Sequence, residues 1–165
     1  MSLKFLQRKK DRILAEGKLT DWPGYNTPAA LNKEKEIANK KTKPEDSITD
    51  LDLNTLNRNR TIKEYSYGPL NPDDEKGSEP FWEDKAEFWN TTVEAAKQSR
   101  CGNCGAFDQK KATLSKIEKA IGEEGKTIVK NANIGFCEFF WFKCAGARSC
   151  DAWVSGGPIT WDQEV

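Results

Sequence analysis

Five cysteines and no histidine constrain this chain more than any other feature of its sequence. The cysteines all lie in the last 65 residues, with the spacing Cys101-x2-Cys104-x32-Cys137-x6-Cys144-x5-Cys150. The missing histidine excludes triads built on an imidazole, histidine-ligated zinc, Rieske centres and haem held by histidine. A metal bound by this chain is therefore expected to be held by thiolates.

A disulfide framework fits the cysteines poorly. Their number is odd, which leaves one thiol unpaired. The first residues, MSLKFL, lack the long apolar stretch of a secretory signal, so we expect synthesis in a reducing compartment. A thioredoxin-like CxxC is typical of a βαβ context, which this sequence lacks, and it would leave the later cysteines unexplained.

Zinc and an iron–sulfur cluster are the two metal centres that compete. The segment CGNC at 101–104 is typical of a zinc knuckle, but a zinc ribbon would supply a second CxxC, which is missing after Cys137. A cubane cluster tolerates irregular spacing, and a water-excluding shell tunes its potential. Large aromatic side chains crowd the cysteines here: Phe107, Phe136, Phe139, Phe140, Trp141, Phe142 and Trp153. We therefore expect a [4Fe–4S] cluster, with Zn²⁺ as the alternative.

Three motifs resemble the high-potential iron–sulfur proteins. They are CGNCGAF at 101–107, GFCEFF at 135–140 and CDAWV at 150–154. The resemblance covers residues 81–160 and implies a small loop-rich fold around one [4Fe–4S] cluster. It implies Cys101, Cys104, Cys137 and Cys150 as ligands, with Cys144 as a substitute. It also implies that the cluster is lined by Phe107, Phe140 and Trp153.

The net charge of zero is the sum of three segments that differ in charge. Residues 1–43 carry 11 Lys and Arg against 5 Asp and Glu, residues 44–100 carry 7 against 13, and residues 101–165 carry 8 against 8. Turn signals containing proline or glycine recur through residues 21–80, and a short basic helix is expected over residues 1–16. We predict an extended N-terminal arm over residues 1–80, with anchors for a protein partner at Trp22, Tyr25, Leu53 and Tyr65.

The rest of the chain predicts a small α+β, loop-rich, metal-stapled domain over residues 81–160, followed by a tail at 161–165. An apolar stripe from Trp82 to Ala96 predicts a helix over residues 81–98. A second helix is predicted over residues 114–121, with Gly122 as its stop. The aromatic run at 133–142 predicts a buried strand or packed turn.

A second resemblance concerns the whole chain. The segments CGNCGAFD at 101–108 and GFCEFFWFKCAGARSCDAWVSGGPI at 135–159, carried behind a long polar arm, are similar to virion proteins of tailed bacteriophages of cyanobacteria and other aquatic bacteria. This resemblance implies a structural or assembly protein that binds other protein subunits, located in the virion and, during synthesis, in the host cytoplasm. The sequence has no Gly-rich phosphate loop, no histidine and no pair of carboxylates that stands out as catalytic, so we expect no enzymatic activity.

An electron-transfer iron–sulfur protein of the bacterial cytoplasm is the first alternative, and a four-cysteine structural zinc module is the second. The arm lacks a sustained basic run with interleaved aromatics, so its composition does not favour nucleic acid as a partner. No apolar run approaches the length of a membrane span, so we expect no membrane association.

Overall fold

Three short antiparallel strands form the centre of the fold in the computed structural model, which describes residues 43–161. Strands β1 (Phe107–Asp108), β2 (Ile134–Cys137) and β3 (Phe142–Ala145) follow one another in that order across the sheet. The described residues also form five α-helices: α1 (Leu51–Tyr65), α2 (Glu75–Trp89), α3 (Val93–Gln98), α4 (Lys111–Ile121) and α5 (Gly125–Ala132). Short 3₁₀ turns occupy Pro44–Ile48 and Cys101–Asn103. The prediction of a small α+β domain is confirmed for these residues.

The register of the sheet separates its side chains into two faces. Phe107 pairs with Cys137, Cys137 pairs with Phe142, and Gly135 pairs with Cys144. Because successive side chains in a strand point to opposite faces, the cysteines of β2 and β3 share one face with the two phenylalanines. The opposite face carries Phe136, which is 2% exposed.

Each face has its own hydrophobic core. On the Phe136 face, helices α4 and α5 contribute Ile117 and Val129, and the N-terminal 3₁₀ turn contributes Ile48. On the cysteine face, Phe107 and Phe142 pack with Ile62 and with Tyr67, whose ring lies edge-on to Phe142 at 4.9 Å. The cysteine face is therefore closed by residues near the end of α1.

Helix α1 and Tyr67, which follows it, cover the outer edge of β3 with polar side chains. The Asn54 Oδ1 atom accepts the backbone N–H of Lys143 at 2.7 Å, and the Tyr67 hydroxyl accepts the N–H of Ala145 at 3.1 Å. Asn57 Nδ2 donates to the Trp141 carbonyl at 2.7 Å. These bonds satisfy edge groups that would otherwise be free to pair with another strand.

The other edge of the sheet is covered by the C-terminal segment. The N–H of Gln109 donates to the Ile159 carbonyl, and the N–H of Ile159 donates to the Phe107 carbonyl, both at 2.8 Å. Both edges are thus closed by the chain itself.

The extended arm predicted over residues 1–80 is wrong from residue 43 onward. Helix α1 occupies Leu51–Tyr65, with Asp50 capping its N-terminus and Ser66 ending it in the left-handed conformation. It folds against β3 and so belongs to the same domain as the cysteines. The sequence pattern did not predict this helix because its inward face is partly polar. Asn54, Asn59 and Thr61 are buried there beside leucines. An apolar periodicity does not reveal a helix of this kind.

The predicted helix over residues 81–98 is two helices. Asn90 ends α2 with a left-handed φ of 53°, and Thr92 starts α3 by accepting the N–H of Ala95 at 3.2 Å. The predicted stripe is confirmed as one packed cluster of Trp82, Ala86, Trp89, Val93 and Ala96.

The remaining secondary-structure predictions are confirmed with small changes. Helix α4 begins at Lys111, three residues earlier than predicted, and Gly122 caps its end. The aromatic run contains β2, as expected, whereas α5 was missed. Within residues 43–161, no helix combines the length and the apolar character needed to cross a lipid bilayer.

Replacing Asn54 with alanine tests the edge cover. The variant leaves the Lys143 N–H without its acceptor, so we expect the free energy of unfolding to fall by about 1–3 kcal/mol. Asn131→Ala, at an exposed position of α5, is the control and should change it by less than about 0.5 kcal/mol. Urea denaturation followed by circular dichroism measures both, and equal midpoints for the two variants would contradict the edge-cover role.

Candidate metal centre

All five cysteines line one cavity. The cavity has about 300 Å³ of empty space, including the part open to solvent. Its lining consists only of cysteines, aromatic residues and alanines: Cys101, Cys104, Ala106, Phe107, Cys137, Phe139, Cys144, Cys150, Ala152 and Trp153. Four separate segments of the chain therefore bring thiols to a single apolar space.

The first two thiols come from the 3₁₀ turn at Cys101–Asn103. The N–H of Cys104 donates to the Cys101 carbonyl at 2.9 Å, which closes the turn and brings the two side chains to one side. The N–H of Cys101 donates to the Arg148 carbonyl at 2.6 Å, and the N–H of Gly102 donates to the Gly146 carbonyl at 3.0 Å. The turn is thus fixed to the segment that follows β3.

The next two thiols come from the sheet. Cys137 ends β2, Cys144 lies in β3, and the register places both on the face that carries Phe107. Gly135 is required beneath the Phe107 ring, because a Cβ at this position would lie 2.6 Å from two ring carbons. Cys144 is 3% exposed.

The last thiol, Cys150, lies in the loop after β3, and Trp153 attaches this loop to the 3₁₀ turn. The indole Nε1–H of Trp153 donates to the Arg100 carbonyl at 2.9 Å and to Asn103 Oδ1 at 3.0 Å. Further along the loop, the N–H of Gly157 donates to the Asn103 carbonyl at 3.2 Å. The loop and the turn therefore close the cavity together.

Burial is the largest influence on the pKa of three of the thiols, those of Cys137, Cys144 and Cys150. It raises the pKa of Cys137 to about 12, although N–H groups of Phe140 and Phe139 oppose this by hydrogen bonding to its sulfur. Burial also raises the pKa of Cys150, and it raises that of Cys144 well above the ordinary value of a thiol. Without a cation, these three thiols are neutral at pH 7, so a metal that binds them must displace their protons.

The structure brings the four predicted ligands together and adds Cys144 to them. Phe107 and Trp153, which the resemblance implies as cluster-lining residues, line the cavity. Phe139 lines it as well, whereas Phe140 packs at its margin and lines a neighbouring surface groove.

The predicted partner anchors have different positions. Trp22 and Tyr25 lie outside the described residues. Leu53 is 5% exposed and packs against Leu56, so the domain itself covers it and its predicted role as a partner anchor is corrected. Tyr65 is 37% exposed and lies on Phe140, with ring centroids 4.3 Å apart, so its predicted role stays a prediction.

The side chains of residues 43–161 contain no group of three or more His, Cys, Asp or Glu that could hold a metal ion as they stand. Comparisons with protein-family models, with curated proteins and with solved structures find no match to this chain.

Replacing Gly157 with alanine tests how closely the loop must approach the 3₁₀ turn. A Cβ at this position would collide with the Cys104 carbonyl, so the loop must move and we expect a loss of about 1–3 kcal/mol in the free energy of unfolding. Ser155→Ala, at an exposed position of the same loop, is the control. Thermal denaturation measures both variants, and an unchanged midpoint for Gly157→Ala would contradict the close approach.

Proposed function

We propose that this domain binds a [4Fe–4S] cluster through four thiolates and that the protein is a structural or assembly component of a large complex. The observation that carries the proposal is the single apolar cavity lined by all five cysteines. Iron–sulfur clusters are held by four cysteine thiolates, and burial and hydrogen bonds to the sulfurs set their properties. When bound, the cluster would supply a covalent cross-link between distant segments and a one-electron redox centre.

The surroundings of the thiols favour a cluster over a single zinc ion. Zinc draws its ligands into a tetrahedron of about 2.3 Å Zn–S bonds, so four thiolates must meet at one point. Here the thiols surround a space, and three aromatic residues, Phe107, Phe139 and Trp153, share its wall. Against the larger raising effect of burial, hydrogen bonding by backbone N–H groups lowers the pKa of Cys137 and Cys150. These features support the cluster, with Zn²⁺ as the alternative.

Four of the five thiols are assigned as ligands. The resemblance to high-potential iron–sulfur proteins favours Cys101, Cys104, Cys137 and Cys150. Cys144 is the least exposed of the five thiols, at 3%, and we assign it as a buried apolar side chain, which makes it the alternative to Cys137 as the third ligand.

A role for the cluster as a structural cross-link is consistent with the positions of the ligands in the domain. The ligands come from the 3₁₀ turn, from β2 and from the loop after β3, so one cluster would join segments separated by up to 49 residues of sequence. The three strands of the sheet are only two to four residues long. Metal centres commonly supply the folding free energy that a small core does not.

An exposed aromatic groove supports the binding of other protein subunits. It is lined by side chains of α1 and of the turn between β2 and β3: Asn57, Arg60, Thr61, Glu64, Tyr65, Phe139, Phe140 and Trp141. Phe139 is 50% exposed and Trp141 44%. Exposed aromatic patches mark protein interfaces. The similarity to tailed-bacteriophage virion proteins makes neighbouring virion subunits the proposed partners, with the protein present in host cytoplasm during synthesis.

Electron transfer is the second candidate function. The observation that favours it is Phe139, which lines the cysteine cavity and is also half exposed. A cluster in the cavity would lie one side chain from the surface, where a redox partner could dock briefly. This function requires a reversible couple within the range of biological potentials.

Cysteine-to-serine variants test the ligand assignment. We expect Cys101→Ser and Cys150→Ser to lose the visible absorption of the cluster and most of the bound iron, because each removes a thiolate ligand. Cys144→Ser is the matched control, since it changes a thiol of the same cavity and should keep both. Iron analysis and absorption of anaerobically purified protein measure the outcome. Iron content that falls only in Cys144→Ser would overturn the assignment.

Deleting residues 2–42 separates cluster binding from partner binding. Those residues lie before the described domain, so we expect the truncated chain to keep the full cluster and to lose attachment to the assembly. Co-sedimentation with assembled particles measures attachment, and iron content measures the cluster. Loss of the cluster on truncation would show that these residues are part of the metal-binding domain.

A further inference from the structure

Lys85 is buried beside the last predicted ligand. Its side chain on α2 has a relative exposure of 0%, and it is the only lysine or arginine among residues 43–161 that is buried. Its Nζ atom lies 2.5 Å from Asp151 Oδ1 and donates to the Ser66 carbonyl at 3.0 Å. The Phe81 ring centroid is 4.8 Å from the same nitrogen.

Stability alone does not account for a buried pair of this kind. Removing two charges from water costs several kcal/mol for each ion, and well-packed apolar residues often replace such a pair without loss. Lys97, by contrast, forms its ion pair with Glu79 at 2.8 Å in a solvent-exposed position. The role of the buried Lys85–Asp151 pair therefore depends on the chain segment to which Asp151 belongs.

Asp151 follows Cys150 directly, and its backbone is held as firmly as its carboxylate. Its N–H donates to the Tyr65 carbonyl at 2.7 Å, and its carbonyl accepts the Trp89 indole N–H at 3.2 Å. On the other side of Cys150, Ser149 exchanges two backbone hydrogen bonds with Gly68, at 2.7 and 3.0 Å. The segment that carries Cys150 is thus fixed on both sides.

We propose that Lys85 is a positioning residue for Cys150, which it holds toward the cavity through Asp151, and that the Lys85–Asp151 pair sets the local charge at the bound cluster. The second half of this inference rests on the proposed cluster, and the first half does not.

Selective labelling of Cys150 tests the positioning role without a cluster. Full-length protein is stripped of metal, and each cysteine is alkylated with iodoacetamide and quantified by mass spectrometry. In Lys85→Met and Asp151→Asn we expect Cys150 to react about tenfold faster, with Cys104 unchanged, because losing a charge-assisted hydrogen bond raises the open population by about that factor. Lys97→Met is the control and should leave all five rates unchanged. Unchanged Cys150 labelling in folded Asp151→Asn protein, or equal acceleration at all five cysteines, overturns the positioning role.

The midpoint potential of the cluster in loaded protein at pH 8 tests the electrostatic role. Lys85→Met leaves the Asp151 carboxylate uncompensated, which favours the oxidised cluster and lowers the potential. Asp151→Asn leaves the ammonium uncompensated and raises it, and the double variant falls between the two. Shifts in the same direction, or no shift in Asp151→Asn, overturn this part. Protein that binds no iron overturns the proposed function, while the labelling experiment still decides the role of Lys85.

Discussion

The antiparallel register of the three strands is the constraint on which the rest of the structure depends. It pairs Phe107 with Cys137, Cys137 with Phe142 and Gly135 with Cys144. The thiols of β2 and β3 therefore share one face with Phe107 and Phe142. Helices α4 and α5 cover the opposite face. A slip of one residue in β2 would turn Cys137 away from the other thiols and Phe136 toward them. The cavity exists because this register is kept.

Polar side chains and peptide groups hold that register, because the strands are too short to do so alone. Asn54 and Tyr67 bind the outer N–H groups of β3, and Ile159 pairs with the outer edge of β1. Arg148 donates to the carbonyls of Pro69 and Leu70, both at 3.0 Å, which fixes the segment after α1 to the loop that leads to Cys150. The domain is thus a small sheet enclosed by specific hydrogen bonds, which is the setting in which a bound cluster adds most to stability.

The sequence allowed the candidate site to be predicted better than the fold around it. Cysteine spacing and neighbouring aromatics indicated residues that line the cavity, among them Phe107 and Trp153, because these residues are close in sequence to the cysteines they meet. Helix α1 was missed because its buried face includes Asn54 and Asn59, and Asn54 binds a strand residue 89 positions away in the sequence. Lys85 was missed for the same reason, since its partner, Asp151, is 66 residues distant. Polar contacts across such distances leave no periodic pattern in a single sequence.

The central claim is that four thiolates of this cavity hold a [4Fe–4S] cluster. The most direct test is the content of iron, acid-labile sulfide and zinc per chain in full-length protein purified without oxygen, together with its absorption spectrum. We predict about four irons and four sulfides per chain and a brown protein with broad visible absorption. A colourless protein that carries one zinc ion per chain, or one whose thiols are all free of metal, would contradict the claim.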